Sequence, residues 1–242
     1  MSKATKTQQL FDKLTEWGNL PKYQLERRAD IFFAVHLSDI LKAEHPDKPD
    51  IDAIIPEFPL RKRPKCSSNN VDYLCVNKKT NTMYLVELKT DMASLNMKQN
   101  DYLRKGLNLS FRELVDDIIE IMKSSSCRKE AKVKYHELLH YLNELELLTL
   151  ENKESFWRGR IEHVKRNVKC ENLKWGKKKC IFIQPTTTYD KIKKAERASV
   201  EEFQRNECDV IDFNCVARVL AEISSQDELT AAFCETVPKW IR

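Results

Sequence analysis

Two short apolar runs, Val71-Asp-Tyr-Leu-Cys-Val76 and Met83-Tyr-Leu-Val-Glu-Leu-Lys89, flank the turn-prone segment Asn77-Lys-Lys-Thr-Asn-Thr82. They constrain the fold more than any other feature. Both are rich in β-branched and aromatic residues, so they read as the arms of a β-hairpin. If the turn closes symmetrically, antiparallel partners have numbers that sum to 159, and Val76 faces Met83, Leu74 faces Leu85 and Asp72 faces Glu87. Directly opposed like charges destabilise a sheet. Either one acid is neutral or a cation sits between them. Lys89, two residues beyond Glu87, falls on the same face by the two-residue period of a strand. The other face, Tyr84, Val86 and Leu88, is apolar, as in a strand buried against helices.

Around the hairpin the chain alternates helical and strand patterns. A helix is expected from about Lys22 to Glu44, where Leu25, Ala29, Phe32, His36 and Ile40 recur at helical spacing beside Phe33, Leu37 and Leu41. His45-Pro46 ends it. Residues 51–58 read as a strand that is short, bent or at an edge, because Pro56 and Pro59 cannot donate to a ladder. From Ser94 to about Lys169 the pattern is helical almost throughout, with Leu114, Ile118, Ile121 and Met122 on one stripe and Leu138, Leu142 and Leu145 on another. Residues 180–184 then read as a strand, 195–207 as a helix, 210–213 as a strand and 216–223 as a helix. The expected organisation is one domain over residues 1–242 with a helical insertion at about 107–175.

Composition removes some classes. The 242 residues include four glycines, none placed for a dinucleotide fingerprint or a Walker loop. Eight cysteines contain no C-x-x-C pair and read mostly as buried thiols. No apolar run approaches membrane-spanning length and the first ten residues are polar, so a cytoplasmic protein with reduced cysteines and no membrane contact is expected. The formal charge of +5 is unevenly spread: residues 153–194 hold thirteen Lys/Arg against four Asp/Glu, residues 195–242 five against ten.

Paired carboxylates beside a lysine suit phosphodiester chemistry. Mg²⁺ binds oxygen, commonly through one or two carboxylates, and completes its octahedron with water and substrate phosphate. Asp72 and Glu87 would hold the ion, which activates a water and neutralises developing charge, while Lys89 orients the water or stabilises that charge. At these residues the sequence resembles the PD-(D/E)xK nuclease superfamily, in which one strand of a hairpin carries an Asp and the next an E-x-K tripeptide. Asp72 matches the first acid and Glu87-Leu88-Lys89 the tripeptide, with Val71 in place of the nominal proline.

The resemblance implies an α/β fold with a restriction-endonuclease-like core: a central mixed β-sheet flanked by helices. It implies Mg²⁺ or Mn²⁺ as cofactor and nucleic acid, DNA in the first instance, as partner. It also implies that the Leu88 carbonyl is a further metal ligand and that an acid of the first helix, Glu26, joins the site. Gln99 and Tyr102 resemble the Gln-and-Tyr motif of RecB-like members, with a spacing one residue short. Members of the superfamily can also persist as non-cutting modules that bind nucleic acid or protein.

Two other features compete or contribute. His136-Glu-Leu-Leu-His140 is a literal H-E-x-x-H, the helical pattern by which two imidazoles hold Zn²⁺ with Glu137 as general base, and Glu162 lies where a third ligand could come from. That would make the chain a zinc peptidase. Leucines around the motif give it an ordinary reading as polar side chains at the rim of a packed helix. Arg61, Lys62, Arg63 and Lys65 before the Asp72 strand, and Arg158, Arg160, Lys177, Lys178 and Lys179 interleaved with Trp157 and Trp175, form basic clusters suited to phosphate contacts and base stacking. Each is equally a solvated lysine-rich surface.

Overall fold

The structure, a computed structural model, describes residues 5–20, 23–62, 67–124, 127–151, 161–170 and 177–241. It is an α/β protein with a five-stranded mixed sheet flanked by helices. The sheet comprises β1 (Ala53–Arg61), β2 (Ser68–Asn77), β3 (Thr82–Leu88), β6 (Lys177–Gln184) and β7 (Cys208–Asp212), in the order β1-β2-β3-β6-β7. β1 and β2 are antiparallel, β6 and β7 parallel. A separate two-stranded antiparallel ribbon pairs β4 (Thr149–Leu150) with β5 (Val168–Lys169). Among the described residues no helix is long and apolar enough to cross a membrane.

The backbone groups into two compact units. The first comprises residues 1–51, 86–100 and 180–242. It contains α1 (Lys6–Trp17), α2 (Glu26–Glu44), α7 (Lys194–Glu207), α8 (Phe213–Ile223) and α9 (Glu228–Thr236). Its core is aromatic: Phe233 packs against Phe11, Phe32, Phe33, His36 and Trp240 with ring centroids 5.2–6.0 Å apart. Helical starts are set locally. Thr5 caps α1, Asp212 caps α8 through the Asn214 and Cys215 amides, and Asp227 caps α9 through Thr230, each satisfying amides that have no partner within the helix.

His36 sits in this core stacked on Phe233, and burial holds its imidazole below the ordinary value of 6.5, with Asp227 and Asp39 pulling the other way. The unfolded chain therefore takes up the proton first as pH falls. His36 contributes no pH dependence above about 6.5 and loses stability below it. Thermal midpoints between pH 8 and pH 5 are expected to decline on the acid side, and His36→Gln to show a shallower decline; parallel curves would contradict this.

The second unit comprises residues 52–85 and 101–179. It holds β1 and β2, most of α3 (Met97–Leu107), and α4 (Phe111–Lys123), α5 (Lys129–Glu144) and α6 (Ile161–Asn167). β1 lies at the sheet edge and bends: Pro56 and Pro59 are tolerated there, and Glu57 adopts φ 51°. In the loop between β2 and β3 the Asn77 side chain accepts from the Thr80 amide at 3.0 Å and Asn81 takes φ 52°, a conformation Asn accepts readily. α4 carries a Ser110–Glu113 capping box and buries Phe111, Leu114, Val115, Ile118, Ile119, Ile121 and Met122. α3 approaches the strands closely at Gly106, where a Cβ would come within 3.0 Å of both Leu60 and Leu85.

Several expectations need correction. The stretch from Ser94 to about Lys169 is not helical almost throughout, because the β4–β5 ribbon interrupts it; two-residue strands leave no periodicity to read. On α5 the buried leucines are Leu139 and Leu142, whereas Leu138 and Leu145 are only partly covered. α1 and α9 are additional helices, and α2 starts at Glu26. Of the seven cysteines described, only Cys75 and Cys180 are fully buried.

Candidate active site

β3 is buried along all seven residues, so its one charged side chain, Glu87, is buried with it at 1% exposure. The chain leaves the strand at Leu88, but the next amide, Lys89, still donates to the Ile183 carbonyl of β6 at 2.8 Å. That bond carries the alignment one residue further. It holds Lys89 at the strand's mouth.

The Lys89 side chain turns back onto this end of the strand. Its ammonium donates to the Leu88 carbonyl at 2.8 Å, lies 3.2 Å from Glu87 Oε2 and 3.3 Å from Glu26 Oε1. The Lys89 and Glu87 side chains are 4% and 1% exposed, and that of Glu26 is 33% exposed. Glu26 is the first residue of α2, whose preceding residue Leu25 supplies no side-chain cap. A carboxylate in that first turn is favoured by the positive end of the helix dipole. The two acids thus arrive from a helix terminus and a strand terminus. One cation lies between them.

The charge of Glu87 is also felt on β6. Burial pushes the Cys180 thiol well above its ordinary range, and hydrogen bonding to Cys208, the Cys208 charge and that of Glu87 push it the same way. Cys180 and Cys208 are partners in the parallel β6–β7 pairing.

Three oxygens, Glu26 Oε1, Glu87 Oε2 and Leu88 O, lie within 3.3 Å of a single nitrogen. Their chemistry is that of a hard-cation site, and Mg²⁺ is bound by such donors with water completing its shell. The donor set therefore fits a divalent ion, although the place between these oxygens holds the Lys89 ammonium. Among the described residues, no group of three or more His, Cys, Asp or Glu side chains is gathered as a metal cluster.

Beside Glu26 opens a cleft of about 460 Å³, lined also by Tyr23, Gln24, Arg27, Thr90, Asp91 and Ser94. Asp91 caps the short turn Met92–Ser94 by accepting from the Ala93 amide at 2.9 Å. These lining residues carry no motif of their own. Their only signal in the sequence is adjacency to Glu26 and Lys89.

The remaining candidates divide by environment. At the start of α3 the Gln99 backbone amide donates to Asn96 Oδ1 at 3.3 Å, and Asn96 Nδ2 donates to Gln99 Oε1 at 3.5 Å. Tyr102 follows one turn along α3 and is half-buried. In the second unit, Asp72 is half-buried on β2, between the Val71–Phe58 and Tyr73–Pro56 pairs with β1.

Two of the basic candidates are tied internally. Arg61 lies 3.4 Å from the buried Asp117, and Lys178 donates to the Leu107 carbonyl at 2.8 Å, with burial lowering its pKa against the pull of Glu113. Lys62 and Lys177 are exposed and Lys179 half-buried. Arg63, Lys65, Arg158 and Arg160, with Trp157 and Trp175, lie outside the described residues, as does the side chain of Glu162. On α5, His140 Nδ1 is 3.4 Å from Glu144 Oε1, and burial lowers the pKa of His136 against the Glu137 charge. Compared with protein-family models, curated proteins and solved structures, the chain matches none.

Proposed function

We propose that the chain is a divalent-metal-dependent nuclease of the PD-(D/E)xK type, hydrolysing phosphodiester bonds of DNA on a restriction-endonuclease-like core. The observation that carries this reading is the meeting of Glu26, Glu87 and the Leu88 carbonyl around the Lys89 ammonium at the mouth of β3. Glu87 and Asp72 are the principal ligands for Mg²⁺ or Mn²⁺, joined by the Leu88 carbonyl and Glu26; Asp72 enters from the sequence register of the hairpin. When bound, the ion polarises the phosphodiester and acidifies a water.

The protein groups do the rest. Burial fixes Glu87 in one orientation, so its carboxylate meets the reacting centre without reorganisation. Lys89, held by two acids and a carbonyl, contributes its positive charge to stabilising negative charge that grows on the phosphate oxygens. Gln99 and Tyr102 support the site from α3. Lys62, Arg63 and Lys65, with Arg158, Arg160, Lys177 and Lys179, bind backbone phosphate in a salt-dependent way, whereas Arg61 and Lys178 are held by Asp117 and the Leu107 carbonyl.

The test is incubation of supercoiled and linear DNA with Mg²⁺ or Mn²⁺. Cleavage is expected, abolished by EDTA and reduced at least about a hundredfold by Asp72→Ala or Lys89→Ala. Cleavage indifferent to both substitutions would refute the assignment. One observation favours a second reading, a nuclease-fold module that binds without cutting: the Lys89 ammonium already occupies the place between the three oxygens. Salt-dependent DNA binding, unaffected by metal and without cleavage, is its signature.

A further inference from the structure

The cleft beside Glu26 lies next to an aromatic pair that is open to solvent. Trp17, at the end of α1, is 43% exposed and meets Tyr23 edge-on, ring centroids 6.1 Å apart at 67°. Tyr23 lines the cleft, and the Lys13 ammonium stands 5.8 Å from the Trp17 ring. Leu20, between the two aromatics in sequence, is 54% exposed. A single exposed apolar residue needs no explanation. Here two, Trp17 and Leu20, lie three residues apart, followed by the half-buried Tyr23, which lines a polar cleft. Its lining adds Arg27, Gln24 and Thr90 to Glu26.

We propose that this cleft takes one unpaired nucleotide of a single DNA strand, its base against the Trp17–Tyr23 pair and its phosphate toward Arg27. The inference rests on the nuclease reading and deepens it by naming the form of substrate. The volume of about 460 Å³ is within the range of sites for small organic groups and far below what a duplex occupies. Aromatic faces stack on any base, but only on one that is out of its helix, so a stacking platform selects unpaired nucleotides. Lys13, which stands over the Trp17 ring, is paired with Glu16 at 2.6 Å, so the positive charge for a phosphate comes from Arg27 on the cleft wall. Glu26 belongs to both the cleft wall and the Lys89 cluster, so a nucleotide seated here places a phosphate beside the proposed hydrolytic groups.

The experiment measures fluorescence anisotropy of a labelled 20-nucleotide single strand and of the same sequence as blunt duplex, with the full chain in EDTA, so that no cleavage intervenes. The single strand is expected to bind at least about tenfold more tightly, Trp17→Ala to remove about tenfold of that affinity while leaving duplex binding unchanged, and Tyr23→Phe to retain it. Trp17 is partly exposed, so its replacement leaves the core intact; a thermal midpoint equal to the parent's confirms this. Equal affinity for the two forms, or single-strand binding indifferent to Trp17→Ala, overturns the proposal. Parallel incubation with Mg²⁺ separates the two readings. Single-strand preference that depends on Trp17, without cleavage, leaves the cleft assigned and removes the nuclease; cleavage without that dependence does the reverse.

Discussion

Lys89→Met is expected to lower folding stability by about 3–5 kcal/mol at neutral pH, because it removes one partner from a buried ion pair and leaves a carboxylate behind. Methionine keeps the length of the side chain, so little of the loss comes from packing. Most of it comes from Glu87, which is 1% exposed; Glu26 is a third exposed, and solvent screens its share. Chemical denaturation of parent, Lys89→Met, Glu87→Gln and the double variant forms a cycle. The double variant should recover most of the stability lost by Lys89→Met, since a neutral amide replaces the stranded charge. Mg²⁺ should stabilise Lys89→Met more than the parent, because the ion can then occupy the place of the ammonium among the oxygens. A Lys89→Met protein as stable as the parent would show that the pair contributes nothing, and an absence of any Mg²⁺ effect would remove the cation site.

Phe233→Ala is expected to cost about 3–5 kcal/mol, since it empties the centre of a packed aromatic cluster that cannot collapse without moving several helices. Phe233 is fully buried and touches rings from α1, α2 and the C-terminal turn: Phe11, Phe32, Phe33, His36 and Trp240. At roughly 2–4 °C per kcal/mol for a chain of this size, a fall of about 10 °C in the thermal midpoint should follow. Phe233→Leu, which fills most of the volume, should cost less than half as much. The site should feel the change as well, because the helix that presents Glu26 is seated on this cluster through Phe33 and His36. Calorimetry of the two variants decides it: equal midpoints for Ala and Leu would mean that the cluster is not the keystone of the unit.

How far the sequence could be read varied with the physics that decided each element. α4 was plain because Leu114, Ile118, Ile121 and Met122 recur at helical spacing. β3 was plain because β-branched and aromatic residues crowd it and an Asn-rich turn precedes it. From Pro56 and Pro59, β1 was legible as a strand that is short, bent or at an edge; it is nine residues long and lies at the edge. The ribbon of β4 and β5 was not legible, because two residues on each side define no period and their pairing joins segments far apart in the chain. The N-terminal helix was also missed, its polar composition hiding the two residues that reach the core, Phe11 and Leu14.

The candidate site divides in the same way. That Glu87 lies in a buried strand, with Lys89 following it, is written in the chain: an acid and a base at i and i+2 in an apolar run must share a face. Glu26 was chosen in advance only through resemblance and its place on the first helix. Its approach to within 3.3 Å of Lys89 depends on where α2 begins and how the aromatic core seats it, both products of long-range packing. The cleft beside it, Tyr23 with Thr90 and Asp91, joins segments almost seventy residues apart, and no local pattern encodes such a meeting. Local preference is enough to decide which residues are strand, helix or cap, because hydrogen bonding and side-chain sterics act over a few residues. Which charges finally share a place was decided by the tertiary structure, where the free energy of burying one large apolar surface against another outweighs the preferences of any single segment.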